Sequence, residues 1–384
     1  MSRFSDYCAY LVLTLVNVSY CPGVILTSNY KIIVGVIVMI MVIALILNIF
    51  KHLSFAISLY LFYGLFALLV SSITYLFTSE FIFSCTSNIF LSITCFLFGY
   101  CNPNNTDNFI YRCMKIYILS ALFMGLYSVL QNSGFAISGQ YAFAVKNSSG
   151  VLLGTAIILN LFILNREKKR ILFWGWFIVL LLLSISLLTF RCRTVILSVS
   201  VLLLYFIIRK KLLYRIFSKE AFIIILVLFS VASILDINLL DYIYDSLFAN
   251  KDINSVDSIT SGRLNTYQIG LSVFQESPLL GNVLLDRNLP PIDNFIIGHM
   301  SFYGIIGLGL VLPAYLFVWY VLLRGLYRNS IDESYPFMLL FIICMSSFTE
   351  GPYPFGPGTP VICAWFMLGW WYKTHMLNKS KIEK

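Results

Sequence analysis

Charge is scarce in this chain of 384 residues: Asp, Glu, Lys and Arg make up only 11%. Soluble globular chains carry about 25%. Histidine is rarer still, at three residues, and no two cysteines form a CxxC pair. The nine cysteines are an odd number, and Cys8, Cys85, Cys95, Cys344 and Cys363 lie inside apolar runs. A thiol there behaves as a small hydrophobe. These shortages exclude a disulfide scaffold, a cysteine-rich metal site and an ordinary soluble enzyme.

What is abundant is apolar. Hydrophobic residues make up 59% of the chain, and the mean hydropathy is +0.87. A helix crossing a bilayer needs roughly 20 mostly apolar residues, so the chain has room for about twelve. The runs are long and continuous, unlike the short alternating segments of a membrane barrel. The sequence therefore predicts an all-α polytopic membrane protein, a single integral membrane domain over 1–384. Spans are expected near 8–27, 31–50, 54–78, 81–100, 115–132, 148–165, 171–189, 194–208, 221–237, 294–323, 335–349 and 359–373. Arg3 and Asp6 precede a run that reads as a first span rather than a removable signal peptide.

The breaks between these runs alternate in basic content. Nineteen of the 26 Lys and Arg fall in one set; the other holds only Lys31, Lys146, Arg191, Arg193, Lys251, Arg263 and Arg287. Lysine and arginine accumulate on the cytoplasmic side, so both termini are expected there. The net charge of +9 reads as that bias, with the lipid bilayer as partner and no nucleic acid. One outer segment, 238–293 between the ninth and tenth spans, stays polar for longer than any other break. Long loops with helical patterning of their own usually carry function. No internal repeat is visible, which argues against a carrier built of inverted repeats.

Within that loop Leu264, Tyr267, Leu271 and Phe274 are spaced as one face of an amphipathic helix, ended by Pro278 and Gly281. Arg263 falls in its first turn, where free N–H groups and the dipole favour an anion. A guanidinium adds a planar fork suited to phosphate oxygens. The plainer reading is a surface helix whose arginine touches headgroups. Arg191 and Arg193 flank Cys192 in a short outer turn against the charge bias, as functional groups or as snorkelling side chains. Lys146 and Asn147 open another span from outside. Glu350 begins the Pro- and Gly-rich loop 350–358, either the wall of a sugar site or a tight reversal. These groups suit an anion held at the outer leaflet beside polar material in water.

In their order, these residues resemble the O-antigen polymerase and ligase (Wzy/WaaL-type) membrane glycosyltransferases. The resemblance runs through Lys146-Asn147, Cys192-Arg193-Thr194, Ser261-Gly262-Arg263 with Tyr267, and Pro278-Leu279-Leu280-Gly281. It continues through Asp293-Asn294-Phe295, Gly304-Ile305-Ile306-Gly307 and Glu350, covering mainly 146–365. It implies a GT-C-like membrane fold and a multi-pass protein of the bacterial cytoplasmic membrane, its active site facing the periplasm or exterior. It further implies a metal-independent glycosyltransferase with no cofactor, acting on undecaprenyl-diphosphate-linked oligosaccharide. Arg193 and Arg263 would hold the diphosphate leaving group, and a chain-length-regulating membrane protein is a candidate partner. Many members, ligases especially, carry His where this chain has Asp293. His299, six residues on, points roughly 120° away on a helix, so it replaces that group poorly and otherwise reads as a hydrogen-bonded histidine inside the span.

The expected activity is polymerisation of lipid-linked repeat units into O-antigen or capsular polysaccharide. Arg193 and Arg263 would neutralise the leaving diphosphate, and Asp293 or Glu350 would take the acceptor proton. Lys146, Asn147, Arg191, Tyr267, Asn294 and His299 complete the candidate substrate contacts. The alternatives are ligase-type transfer of a finished glycan and a flippase for lipid-linked sugars.

Overall fold

The computed structural model describes residues 2–52, 54–56, 58–60, 63–65, 83–131, 139–210, 263–356 and 359–382. Among these, every regular element is helical. The expected ninth span, 221–237, and the loop from 238 to 262 lie outside the described residues, as does much of 54–78.

The main helices are α1 (Ser2–Val18), α2 (Pro22–Ile25), α3 (Asn29–Ile49), α4 (Phe83–Tyr100), α5 (Asp107–Gln131), α6 (Gly139–Arg166) and α7 (Arg170–Thr189). After them come α8 (Arg193–Lys210), α9 (Arg263–Glu276), α10 (Asn282–Leu285), α11 (Phe295–Arg328), α12 (Tyr335–Ser346) and α13 (Ile362–Ile382). Among the described residues, five helices are long and apolar enough to cross a membrane: α3, α5, the Lys146–Arg166 part of α6, α7 and α11. Large apolar side chains such as Met39, Ile46, Phe123, Leu172, Ile178 and Phe317 are exposed on the bundle's surface. In water such a surface would aggregate; in hydrocarbon it is the expected exterior. The chain is an all-α membrane protein.

Several helices overrun their apolar runs. α5 starts at Asp107 rather than near 115, and α13 continues to Ile382 rather than 373. Hydropathy locates the part of a helix that sits in lipid, whereas capping and backbone hydrogen bonds locate its ends. At α5 the Thr106 hydroxyl accepts the Phe109 N–H at 3.3 Å, and Asp107 lies in the first turn, favoured by the dipole. The first run divides instead: α1 stops at Val18, and α2 restarts at Pro22, a residue suited to a first helical turn.

α6 is the central helix. Its most apolar window is 89% buried, against 22% for α3 and for α7. Small residues let neighbours approach, as membrane interfaces favour. A Cβ on Gly150 would strike Cys192, and one on Gly154 would strike Val195, so α8 packs directly on the α6 backbone. Gly99 of α4 and Gly369 of α13 interlock likewise, each facing a carbonyl of the other helix.

The segment after α9 is stitched into α11. Gly304 has φ 63° and breaks that helix, which frees N–H groups. The Ile305 N–H donates to the Pro278 carbonyl at 2.9 Å, and the Ile306 N–H to Leu279 at 3.2 Å. Gly281 has φ 60° and packs against the Ser301 carbonyl and the Gly304 nitrogen. Side chains are excluded at both glycines by backbone contact and by the left-handed conformation. The Pro-Leu-Leu-Gly and Gly-Ile-Ile-Gly sequences thus form one backbone joint.

Candidate functional site

The helix expected after residue 262 is present as α9, but its buried face differs from the one that spacing suggests. Leu264 and Leu271 are each 39% exposed, while Gly270 and Val273 are buried. Gly270 marks the packed face: a Cβ there would meet the Ser301 hydroxyl and the tip of Ile292, which would have to shift. The helix therefore turns its Gly270 and Val273 face inward and leaves two leucines outside. Arg263 and Tyr267 remain on the inner side, both half-buried.

Arg263 stands between two acids. Its Nε lies 3.6 Å from Asp293 Oδ2, and its Nη2 lies 3.8 Å from Glu350 Oε1. Both distances exceed a hydrogen bond, and the buried Nε makes none. The guanidinium is held by charge without its donors being consumed there. Tyr267 is hydrogen-bonded to the backbone. Its hydroxyl lies 2.9 Å from the Asp293 carbonyl and 3.1 Å from that of Phe348, and donates to them. It pins the backbone on which Asp293 and Glu350 sit.

Arg193 opens α8 and is close enough to Arg263 for the charges to interact. Burial first, and then the Arg263 guanidinium, lower its pKa, partly opposed by Cys192. Two cations forced together in a partly buried place are stabilised by an anion between them. Asn147 ties this corner to Glu350: its Nδ2 donates to Glu350 Oε1, while its Oδ1 accepts from Cys192 Sγ at 3.5 Å. The Cys192 thiol is pushed up to about 11, mainly by burial, and feels Lys146, Glu350 and Arg263 as well. Lys146, Asn147, Cys192, Arg193, Arg263, Asp293 and Glu350 therefore share one end of the bundle. Next to them Thr194 and Thr349 join hydroxyls at 3.0 Å.

Glu350 is strongly perturbed. Burial foremost, and then the Asp293 charge, raise its carboxyl to about 7; Arg263 and the Asn147 hydrogen bond oppose the rise. A carboxyl so tuned can hold or release a proton near neutrality.

The remaining candidates take other places. Asn294 caps α11, its Oδ1 accepting the Ile297 N–H at 3.0 Å while its Nδ2 reaches the Phe348 carbonyl at 3.4 Å. His299 lies a turn further along, its Nδ1 2.7 Å from the Phe295 carbonyl and its ring 4.3 Å from the Phe295 ring. Arg191 lies just past α7 in the left-handed region, φ 52°, with its N–H donated to the Leu188 carbonyl at 3.0 Å and its Nε buried without a hydrogen bond. Cys192, Thr194 and Thr349 were not singled out as site residues by sequence. Adjacency to Arg193 and Glu350 was the signal for them. Arg287 is engaged elsewhere: both its terminal nitrogens bond Glu276, at 3.0 and 2.6 Å.

Neither a protein-family model nor a curated protein matches this chain.

Proposed function

We propose that this protein is a glycosyltransferase polymerising lipid-diphosphate-linked oligosaccharides on the outer face of the bacterial cytoplasmic membrane. One observation carries the reading: two arginines from distant parts of the chain, Arg193 and Arg263, interact at one end of the bundle beside a carboxyl raised to about 7. The topology that goes with it has about twelve spans, cytoplasmic termini and a GT-C-like arrangement, with the Arg263 end outside. The order of motifs from Lys146 to Glu350 supports the membership of the O-antigen polymerase and ligase group.

The reaction joins a sugar hydroxyl of one glycan to the anomeric carbon of another. The new O–C bond forms as the bond from that carbon to the diphosphate oxygen breaks. Negative charge gathers on the departing diphosphate, where Arg193 and Arg263 neutralise it with donors already in place. Arginine suits this better than lysine, because its planar fork matches two oxygens at once. Glu350 takes the hydroxyl proton, and Asn147 keeps that carboxyl aimed. Asp293 keeps the Glu350 carboxyl basic through its charge. The exposed Leu264 and Leu271 edge of α9 suits contact with the membrane surface, where the lipid carrier lies.

The decisive experiment uses the purified full-length chain in micelles with a lipid-diphosphate-linked repeat unit. Longer lipid-linked glycans are the expected product. No elongation by a folded protein overturns the reading, and a micelle has no second side for a pure carrier to serve. The glycans of a deletion strain separate the two transfer reactions. Single repeat units on the final acceptor mark a lost polymerase; accumulated free lipid-linked polymer marks a lost ligase.

A further inference from the structure

α6 leaves the Asn147 corner and ends at Arg166, roughly 28 Å further on at the helical rise per residue. That distance is close to the thickness of a bilayer core, so the turn from α6 to α7 lies at the opposite membrane boundary. The Asn160 Nδ2 donates to the Trp176 carbonyl at 3.0 Å and ties α7 to α6 there. Tyr111, Trp174 and Trp176, all half-buried, stand in the first two turns of α5 and α7. Aromatic residues gather in this way at headgroup depth.

Lys115 of α5 is half-buried among them. Its Nζ lies 5.9 Å from the centre of the Tyr111 ring and 5.8 Å from that of Trp176, and the Arg166 guanidinium lies 5.4 Å from the same Tyr111 ring. Arg166 lines a cavity with Asp107, Asp332 and Glu333. Lys115 has no such counter-charge: among the described residues no carboxylate stands at ion-pair distance from it, nor from Lys168 or Lys169. Glu167, the one acid in the α6–α7 turn, accepts the Lys169 N–H at 3.1 Å. Lys168, Lys169 and Arg170 are exposed. A partly desolvated ammonium beside a second cation is stabilised by an anion. No side chain caps α7 at Lys169, and a helix start favours an anion as well.

Beyond these cations the surface turns apolar. Leu119 and Phe123 follow Lys115 by one and two turns on the same face of α5, and are 51% and 57% exposed. A cationic patch beside a hydrocarbon-facing stripe matches an acidic phospholipid, with phosphate at the boundary and acyl chain below it. A free phosphate would leave the stripe unused. We propose that the corner between α5 and α7 binds an acidic phospholipid, its headgroup phosphate on Lys115, Lys168, Lys169 and Arg170 and an acyl chain along Leu119 and Phe123. The proposal does not depend on the activity assigned to the other end.

The test uses the full-length chain in nanodiscs of phosphatidylcholine with a rising fraction of phosphatidylglycerol. Lipid retained after detergent extraction is read by native mass spectrometry. Phosphatidylglycerol is expected to be retained over phosphatidylcholine, saturating as its fraction rises. Lys115→Met keeps an aliphatic stem on the rings and loses the charge; it should lower retention about fivefold, whereas Lys115→Arg should keep it. Lys168→Gln combined with Lys169→Gln alters two exposed side chains, so the protein keeps its Tm while retention falls roughly 25-fold. Arg324→Gln removes the same charge from α11, where the guanidinium lies over Tyr320, and should change retention little. Equal retention of the two lipids, parent-like retention in the lysine variants, or an equal loss in Arg324→Gln overturns the proposal. Binding of soluble glycerol phosphate as tight as that of the lipid also overturns it, since the acyl chain would then contribute nothing.

Discussion

Glu350 Oε1 stands 3.8 Å from Arg263 Nη2, although one residue follows the buried helix α12 and the other opens α9. The contact places a carboxyl that titrates near neutrality beside a guanidinium whose Nε makes no hydrogen bond. The predictions for the candidate site start from this pair.

Arg263→Ala and Arg193→Ala are each expected to lower polymer formation by about 10²–10³-fold, the usual cost of removing one donor from a developing anion. Lysine at either position should restore little, because a point charge does not form the two-pronged contact. Glycan length on gels, with membrane levels of each variant as control, checks this. Wild-type-length polymer from either alanine variant would exclude the role.

Activity should rise with pH through about 7, the value at which Glu350 becomes the carboxylate that accepts a proton. Asp293→Asn removes a charge that raises this carboxyl, so the midpoint should move down. A rate profile that is flat from pH 5 to 9 in the parent protein would count against Glu350 as base. Stability should follow the opposite slope. The folded carboxyl binds its proton more tightly than the ordinary value of 4.5, so between 4.5 and about 7 the unfolded chain releases its proton first. The Glu350 contribution to stability is therefore lost as pH rises across that window.

Gly281→Ala and Gly304→Ala should each destabilise the protein by at least about 1–2 kcal/mol from the left-handed backbone alone. Contact with the facing backbone adds to that cost. Thermal unfolding in detergent would show a lower Tm. If both variants melt with the parent protein, the joint between the α9–α10 segment and α11 is not formed in solution.

Asn294→Ala should cost about 1 kcal/mol as a lost helix cap, whereas Asn294→Asp or Asn294→Ser should retain most of the stability. Activity that follows stability across the three variants identifies a cap. Activity lost in the Asp or Ser variant at full stability would instead reveal a substrate contact.

Arg287→Ala should leave polymer formation and Tm nearly unchanged. Its guanidinium forms an exposed pair with Glu276, and exposed pairs contribute little. A large loss of activity would show that these cations act as a set and that Arg193 and Arg263 are not special.

The sequence by itself determined the solvent and the local elements. The scarcity of charge and the long apolar runs set an all-α membrane protein, since hydrocarbon tolerates little else. The 3–4 spacing after Arg263 marked α9, because periodicity is a property of consecutive residues. Tertiary structure decided what depends on partners distant in the chain. It brought Asn147, Arg193, Arg263 and Glu350 to one corner. It turned α9 onto Gly270 instead of its leucines, because the missing Cβ leaves room there for the side chains of Ser301, Ile292 and Ile297, which lie far along the chain. It also made a joint of two glycine motifs that read as parts of a functional signature. Burial raised Glu350 to about 7, and burial is a sum over neighbours that no single stretch of residues encodes.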